Sequence, residues 1–242
     1  MPVCDNDWVT TGAGYSIRQL PPAAPLLLDG LAAVYGPRTP AHVALIRHLV
    51  REARGVPGCT VVAVSPHDWS DAVGPGLWHH ARPGPAAADA QRQYLAGVWA
   101  RQEAALDGRR RAADPDGSTP PTVLVVFDDC SGVPFASELV SKLFRRGRHI
   151  SLSVLWCAAR YVDLPVALRK LAVVEVYTDK GTAAASAGSP VNQYNGIFQA
   201  RVADALPAVF QNGRMLAFWH EEAPAQYLYW VAPPAAPSID PS

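Results

Sequence analysis

The chain has 242 residues, 49% of them hydrophobic, with 21 Lys+Arg set against 21 Asp+Glu. That length suits one large α/β domain or two small ones, with apolar side chains enough for a sizeable core. The formal net charge of zero demands no polyanionic partner, while leaving room for a local basic patch. No stretch approaches the ~20 uninterrupted apolar residues of a membrane span.

The opening "MPVCDNDWVTTGAG" lacks a basic region followed by an apolar one, so no secretory signal is read there. Residues 1–23 end in "PPAAP" territory and are read as an irregular arm. "PLLLDGLAAVY" (25–35) contains a buried strand, and "VALIRHLVREA" (43–53) puts Leu45, Leu49, Ile46 and Val50 on one helical face. "CTVVAVS" (59–65) is a second strand and residues 86–106 a long helix with Tyr94, Leu95, Val98 and Trp99 inward. "GRRRAADPDGSTPP" (108–121) reads as a loop. "TVLVVF" (122–127) is wholly apolar and rich in β-branched residues, as strands covered on both faces are. "PFASELVSKLF" is helical with Pro134 in its first turn. "HISLSVLW" (149–156) and "AVVEVYT" (172–178) are further strands, with the short helix "PVALRKL" between them. "DKGTAAASAGSP" (179–190) reads as a mobile loop and a helix is expected near 193–205. "RMLAFWHE" and "QYLYWVA" form a terminal hairpin around "EAPA", ahead of a disordered tail over 233–242.

Strands alternating with helices predict a mainly parallel sheet with helices on both faces and a C-terminal β-hairpin. Ligands of such sheets bind at the carboxyl ends of the strands, so the loops after Tyr35, Phe127 and Trp156 carry the candidate chemistry. Cys4, Cys59, Cys130 and Cys157 are not spaced as metal pairs and are read as buried free thiols of a reducing compartment. "HDW" (67–69) and "WHH" (78–80) have no metal-site spacing and are read as loop packing or a subunit contact. Trp156, Trp219 and Trp230 are read as core or hairpin packing. No Ser-His-Asp or Cys-His set has supporting context.

"VVFDDC" ends an apolar strand in two acids. In nucleotide hydrolases the first holds Mg²⁺ and a second can polarise the attacking water; acids after a strand also cap turns. "GPRTPAHV" (36–43) stands between a strand and a helix, where a phosphate loop reads GxxxxGK[ST]. Gly36 matches the first glycine and the spacing fits. Ala41 replaces the second glycine, His42 the lysine and Val43 the Ser/Thr, while Pro40 deletes a backbone N–H. Together these changes predict that ordinary gripping of β- and γ-phosphates is lost.

"SKLFRRGRHISLSVLWCAARYVDLPVALRKL" (141–171), with "VVFDDC", "VYGPRTPAHVALIRHLV" and the closing "GRMLAFWHEEAPAQYLYW", resembles the genome-packaging ATPases of large nucleocytoplasmic DNA viruses. These form the poxvirus-like branch of the FtsK/HerA superfamily. The resemblance covers residues 24–232 and rests on Gly36, Asp128-Asp129, Gly147-Arg148-His149, Leu164-Pro165 and Arg169. It implies one RecA-like P-loop NTPase domain over 24–232, preceded by an arm over 1–23, that assembles as a ring and moves double-stranded DNA.

By position, Asp128 would be the Mg²⁺ acid and Asp129 the water-activating acid, while Arg148 or Arg169 would reach a neighbour's nucleotide. ATP would lie on Gly36, Pro37, Arg38, Thr39, Pro40, Ala41, His42 and Val43. The family's Thr-Gln sensor pair falls on Ala158-Ala159. The loss of lysine, Mg²⁺ hydroxyl and sensor together implies a degenerate homologue with little or no hydrolysis. Its expected partners are an active packaging ATPase or further copies of itself, double-stranded DNA and capsid proteins, with no membrane. Its expected location is the virion or the viral factory in the host cytoplasm. A working packaging motor and a structural virion protein are the alternatives. "GRRR" (108–111) with Arg145, Arg146 and Arg148 would face DNA if the fold brings them together; otherwise these are solvated loops or a favourable helix C-terminus.

Overall fold

The computed structural model describes residues 8–14, 16–20, 27–28, 30–81, 84–111, 121–130, 137–188, 196–211, 213–219 and 228–232. The expected tail, the turn around "EAPA" and Pro134 of the expected helix start lie outside them.

Among the described residues ten strands form one sheet: β1 (Trp8–Thr10), β2 (Ser16–Gln19), β3 (Leu31–Tyr35), β4 (Cys59–Ser65), β5 (Trp78–His80), β6 (Thr122–Asp128), β7 (Leu152–Ala158), β8 (Ala172–Tyr177), β9 (Met215–Trp219) and β10 (Leu228–Val231). Their order is β1-β2-β10-β9-β8-β3-β7-β6-β4-β5. From β8 to β5 every pairing is parallel. β9 pairs antiparallel with both β8 and β10, which is the expected hairpin.

The helices are α1 (Pro40–Gly55), α2 (Ser70–Val73), α3 (Pro85–Arg111), α4 (Glu138–Arg146), α5 (Val166–Arg169), α6 (Lys180–Ala187) and α7 (Gly196–Phe210), with 3₁₀ turns at Gly147–Ile150 and Tyr161–Asp163. Alternation along each strand sorts side chains between two cores. Ala32, Val34, Leu124, Val126, Leu155 and Cys157 pack against Leu45, Ile46, Leu49 and Val50 of α1 and Trp69. Ala33, Tyr35, Val125, Phe127, Val154 and Trp156 meet α3, α4, α6 and α7 through Leu95, Val98, Leu143, Ala183 and Val202. Both faces of β3 and β7 are therefore covered, which is why β3 is wholly apolar and β7 is apolar but for the buried Ser153. Each buried Leu, Ile or Val on α1 contributes about 1.5–3 kcal/mol at most.

Four segments differ from the sequence reading. Residues 8–19 of the expected arm form β1 and β2; β2 runs parallel to β10, and the hairpin backbone is held by Ala13 N–H donating to Asp204 Oδ1 at 3.0 Å. Trp78–His80 is an edge strand beside β4. The expected loop over 179–190 is helical through α6, because Asp179 caps it by accepting the Thr182 N–H at 2.9 Å and buries Ala183 and Ala187 beneath. The long helix α3 continues through Gly108 to Arg111 rather than ending at 106. Gln102 on α3 donates to the carbonyls of Pro121 and Ile150, tying the helix to the 3₁₀ turn that carries Arg148. The arginine clusters at 109–111 and 145–148 thus lie on one edge of the sheet, the edge of the strands' amino ends.

Candidate functional site: the carboxyl edge of the sheet

The parallel registers align the strand ends. Tyr35 stands opposite Ala158 and Tyr177, Asp128 opposite Cys157, and Val64 opposite Phe127. The loop over 36–43, the acids 128–129 and the Ala158-Ala159 pair therefore meet at one edge, as the sequence predicts.

Asp128 closes β6 and is 1% exposed. Arg38 Nη1 donates to its two oxygens at 2.6 and 2.7 Å. Trp69 Nε1 donates to Oδ2 at 2.9 Å and Ser65 Oγ at 3.2 Å. Oδ2 therefore accepts from Arg38, Ser65 and Trp69, and Oδ1 from Arg38 alone. Trp69 and Ser65 are themselves buried, Trp69 by packing in the core under α1 and Ser65 at the end of β4. Asp129 has left-handed backbone, φ 56°, which Asp tolerates better than most residues. Its N–H donates to Cys157 O at 3.0 Å, and its half-exposed carboxylate meets His67 Nε2 at 3.0 Å.

The loop is held by its own chain. Gly36 N–H donates to Ala158 O at 3.1 Å, Thr39 N–H to Pro37 O at 2.7 Å, and Val43 N–H to Thr39 O at 3.0 Å. Thr39 caps α1 by accepting the His42 N–H at 3.2 Å, with Pro40 in the first turn. Four amides of the loop are thus engaged within the chain. His42, in the lysine's place, is 2% exposed and its Nδ1 lies 3.0 Å from Thr178 Oγ1. That hydroxyl also donates to Tyr35 O at 3.3 Å, which leaves the proton of the His42 contact on the imidazole Nδ1. Burial pushes the His42 pKa down, against the opposing pull of Asp128, so the ring is neutral near pH 7. Gly36 has φ +143°, and a Cβ there would sit 2.1 Å from Thr178 Oγ1.

The remaining sequence candidates are dispersed. Arg148 lies in the 3₁₀ turn ahead of β7, at the opposite edge of the sheet from the loop over 36–43. Arg169 lies on the crossover between β7 and β8 with its guanidinium 4.8 Å from the Tyr161 ring. Ala158 and Ala159 border the loop, and the Ala158 side chain adds only a methyl. Sequence reading missed Ser65, His67 and Trp69 as partners of the acids, and Arg38 as the cation on Asp128. One signal was available: Ser65 ends an apolar strand just as Asp128 does.

A Mg²⁺ held through Asp128 does not fit residues arranged in this way. Arg38 already bridges both carboxylate oxygens, Ser65 and Trp69 add to Oδ2, and Val43 brings no hydroxyl. Among the described residues no group of three or more His, Cys, Asp or Glu gathers as a metal site. None of their helices is long and apolar enough to cross a membrane.

No family model matches the chain. Over 112 residues it is 29% identical to "Uncharacterized protein B354L" of African swine fever virus, a stretch covering 45% of this chain. The chain therefore spans about a third of that relative's length, 32%. Among solved structures it superposes on B204, the DNA-packaging ATPase from Sulfolobus Turreted Icosahedral Virus. That match has a TM-score of 0.55 and 11% identity, covering 86% of this chain and 98% of the other. The genome packaging NTPase B204 of Sulfolobus turreted icosahedral virus 2, solved in complex with sulfate, gives 0.55 and 11% over 85% and 97%. The same NTPase in complex with AMPPCP gives 0.54 and 12% over 85% and 98%. At these identities the likeness is one of fold: this chain has the α/β fold of the viral genome-packaging P-loop NTPases.

Proposed function

We propose that this chain is a degenerate relative of the viral DNA-packaging ATPases, acting in genome packaging or virion assembly with an impaired nucleotide site. The observation that carries this reading is His42, buried and neutral in the lysine's place, in a loop whose Gly36, Thr39, His42 and Val43 N–H groups donate to Ala158, Pro37 and Thr39. Likeness of fold to packaging NTPases supports the setting, as does a viral protein among its sequence relatives. In this reading the chain works in the virion or the viral factory, in a ring of its own copies or beside an active packaging ATPase. Double-stranded DNA and capsid proteins are its partners. The arginines at the amino edge, Arg145, Arg146 and Arg148, are exposed and suited to phosphate contacts.

The test is equilibrium binding of ATP, with and without Mg²⁺, to the wild type and to Ala41→Gly/His42→Lys/Val43→Thr. The wild type is expected to show no saturation up to about 1 mM, and the reversion to bind at least about tenfold tighter, since a placed charge is worth several kcal/mol at such a site. Micromolar wild-type binding with DNA-stimulated turnover, abolished by Asp129→Asn, would instead establish a working motor.

A further inference from the structure

We infer that Arg38 is the resident cation of the acid edge. Its guanidinium occupies the place beside Asp128 that a divalent metal takes in hydrolases of this fold, and it keeps such a metal out. The inference rests on the reading of the site proposed above and deepens it, by naming what replaced the metal.

A carboxylate at 1% exposure requires a countercharge or several donors, since an unpaired buried anion is costly. The chain supplies both. Arg38 Nη1 bridges the two carboxylate oxygens, and Ser65 and Trp69 both donate to Oδ2. No other cation of the loop competes for that place. His42 is kept neutral by burial and is turned to Thr178. His67 is engaged with Asp129 rather than Asp128.

Arg38 is also pre-positioned. Pro37 and Pro40 each fix a φ angle near it, Gly36 is tied to Ala158, and Thr39 is tied to α1 as its cap. The side chain is 29% exposed, so it reaches Asp128 from the solvent side, the route a metal would use. A hydrated ion must displace a guanidinium already within hydrogen-bond range of both oxygens. The hydroxyl that would help hold the ion is absent at Val43, and the Thr39 hydroxyl is occupied by the His42 N–H.

The test uses the full chain without nucleotide and Mn²⁺ as probe, read by the loss of the free-ion electron paramagnetic resonance signal. Melting curves are recorded beside each titration. Wild type, Arg38→Gln and Arg38→Gln/Asp128→Asn are compared. Wild type should leave the signal unchanged up to about 1 mM Mn²⁺. Arg38→Gln should gain one site at least roughly a hundredfold tighter, because the freed carboxylate is a buried anion without a partner charge. The double variant should lose that site again. Wild-type Mn²⁺ binding at micromolar concentration would overturn the inference, and so would a folded Arg38→Gln that gains no site. If Arg38→Gln does not fold, the double variant decides. Recovery of the fold on removing the second charge supports the cation role, and failure of both variants overturns it. Nucleotide is absent throughout. Wild-type Mn²⁺ uptake without ATP binding therefore defeats only this inference, and metal-free turnover of ATP defeats only the proposed function.

Discussion

Gly36→Ala tests whether the first glycine of the loop answers to the chain or to a ligand. The added Cβ would lie 2.1 Å from Thr178 Oγ1 and 3.1 Å from Asp179 Oδ2, on a backbone at φ +143°. Alanine at such a φ costs about 1–3 kcal/mol in strain. Forcing the Thr178 hydroxyl aside adds about 1–3 kcal/mol of overpacking and disturbs its contacts with His42 and Tyr35. A total near 3 kcal/mol corresponds to a fall in Tm of about 6–12 °C for a chain of this size.

Thr178→Ala alone removes one hydroxyl with two contacts and should cost about 1 kcal/mol. In the double variant the 2.1 Å clash is gone and the nearest Thr178 atom left is Cβ at 3.3 Å. The double should then be less destabilised than the sum of the singles by about 1–2 kcal/mol, well outside the ~0.5 kcal/mol scatter of additive sites. Urea unfolding of the wild type and the three variants measures this directly. Additive losses, or a Gly36→Ala variant as stable as wild type, would refute the reasoning. Coupling would mean that packing against Thr178 alone suffices to require a glycine here.

Two further outcomes follow from burial. The folded chain holds His42 with a lowered pKa, so below the ordinary value of 6.5 the unfolded chain binds the proton more readily. The stability associated with the neutral ring is complete above about pH 6.5 and is lost as pH falls through the depressed folded value. Melting temperature should therefore drop between about pH 7.5 and pH 5, and His42→Gln should flatten that drop; an unchanged slope in the variant refutes the assignment. Burial likewise pushes the Cys130 and Cys157 thiols upward, with Asp128 adding to both. Both should resist alkylation in the native chain and react only on unfolding, as peptide mapping would show. Modification of either at the rate of a free thiol would count against their burial.

The parallel core was legible because its strands are covered on both faces and so appear as continuous apolar runs. Cys59–Ser65 coincides residue for residue with the expected strand, and its apolar run over 61–64 is buried. The segments misread are those whose structure depends on distant partners or on one cap. Ser16–Gln19 is short and carries polar residues, and it is a strand because β10, some 210 residues later, offers an edge. Gly181, Gly188 and the serines of 179–190 signal a loop, yet Asp179 capping Thr182 over an alanine-rich stretch is enough for α6. His79 stacks on Tyr94 of α3, a contact no local pattern announces.

The positions of the loop and the acids were legible for a simple reason: strand ends and glycine spacing are local. What meets Asp128 was not. Arg38 is 90 residues away, and the encounter is set by β7 lying between β3 and β6 in the sheet. Trp69 looked like loop packing because aromatic residues usually are, and its Nε1–H has a role only once β4 lies beside β6. Arg38 and Asp128 are then physically linked. A carboxylate buried as Asp128 is must be neutralised from within, because an uncompensated interior ion costs several kcal/mol. Arg38 does so. The stability of the carboxyl edge is thereby a sufficient reason for an acid at 128, so the Asp128-Asp129 pair on its own does not decide for hydrolysis.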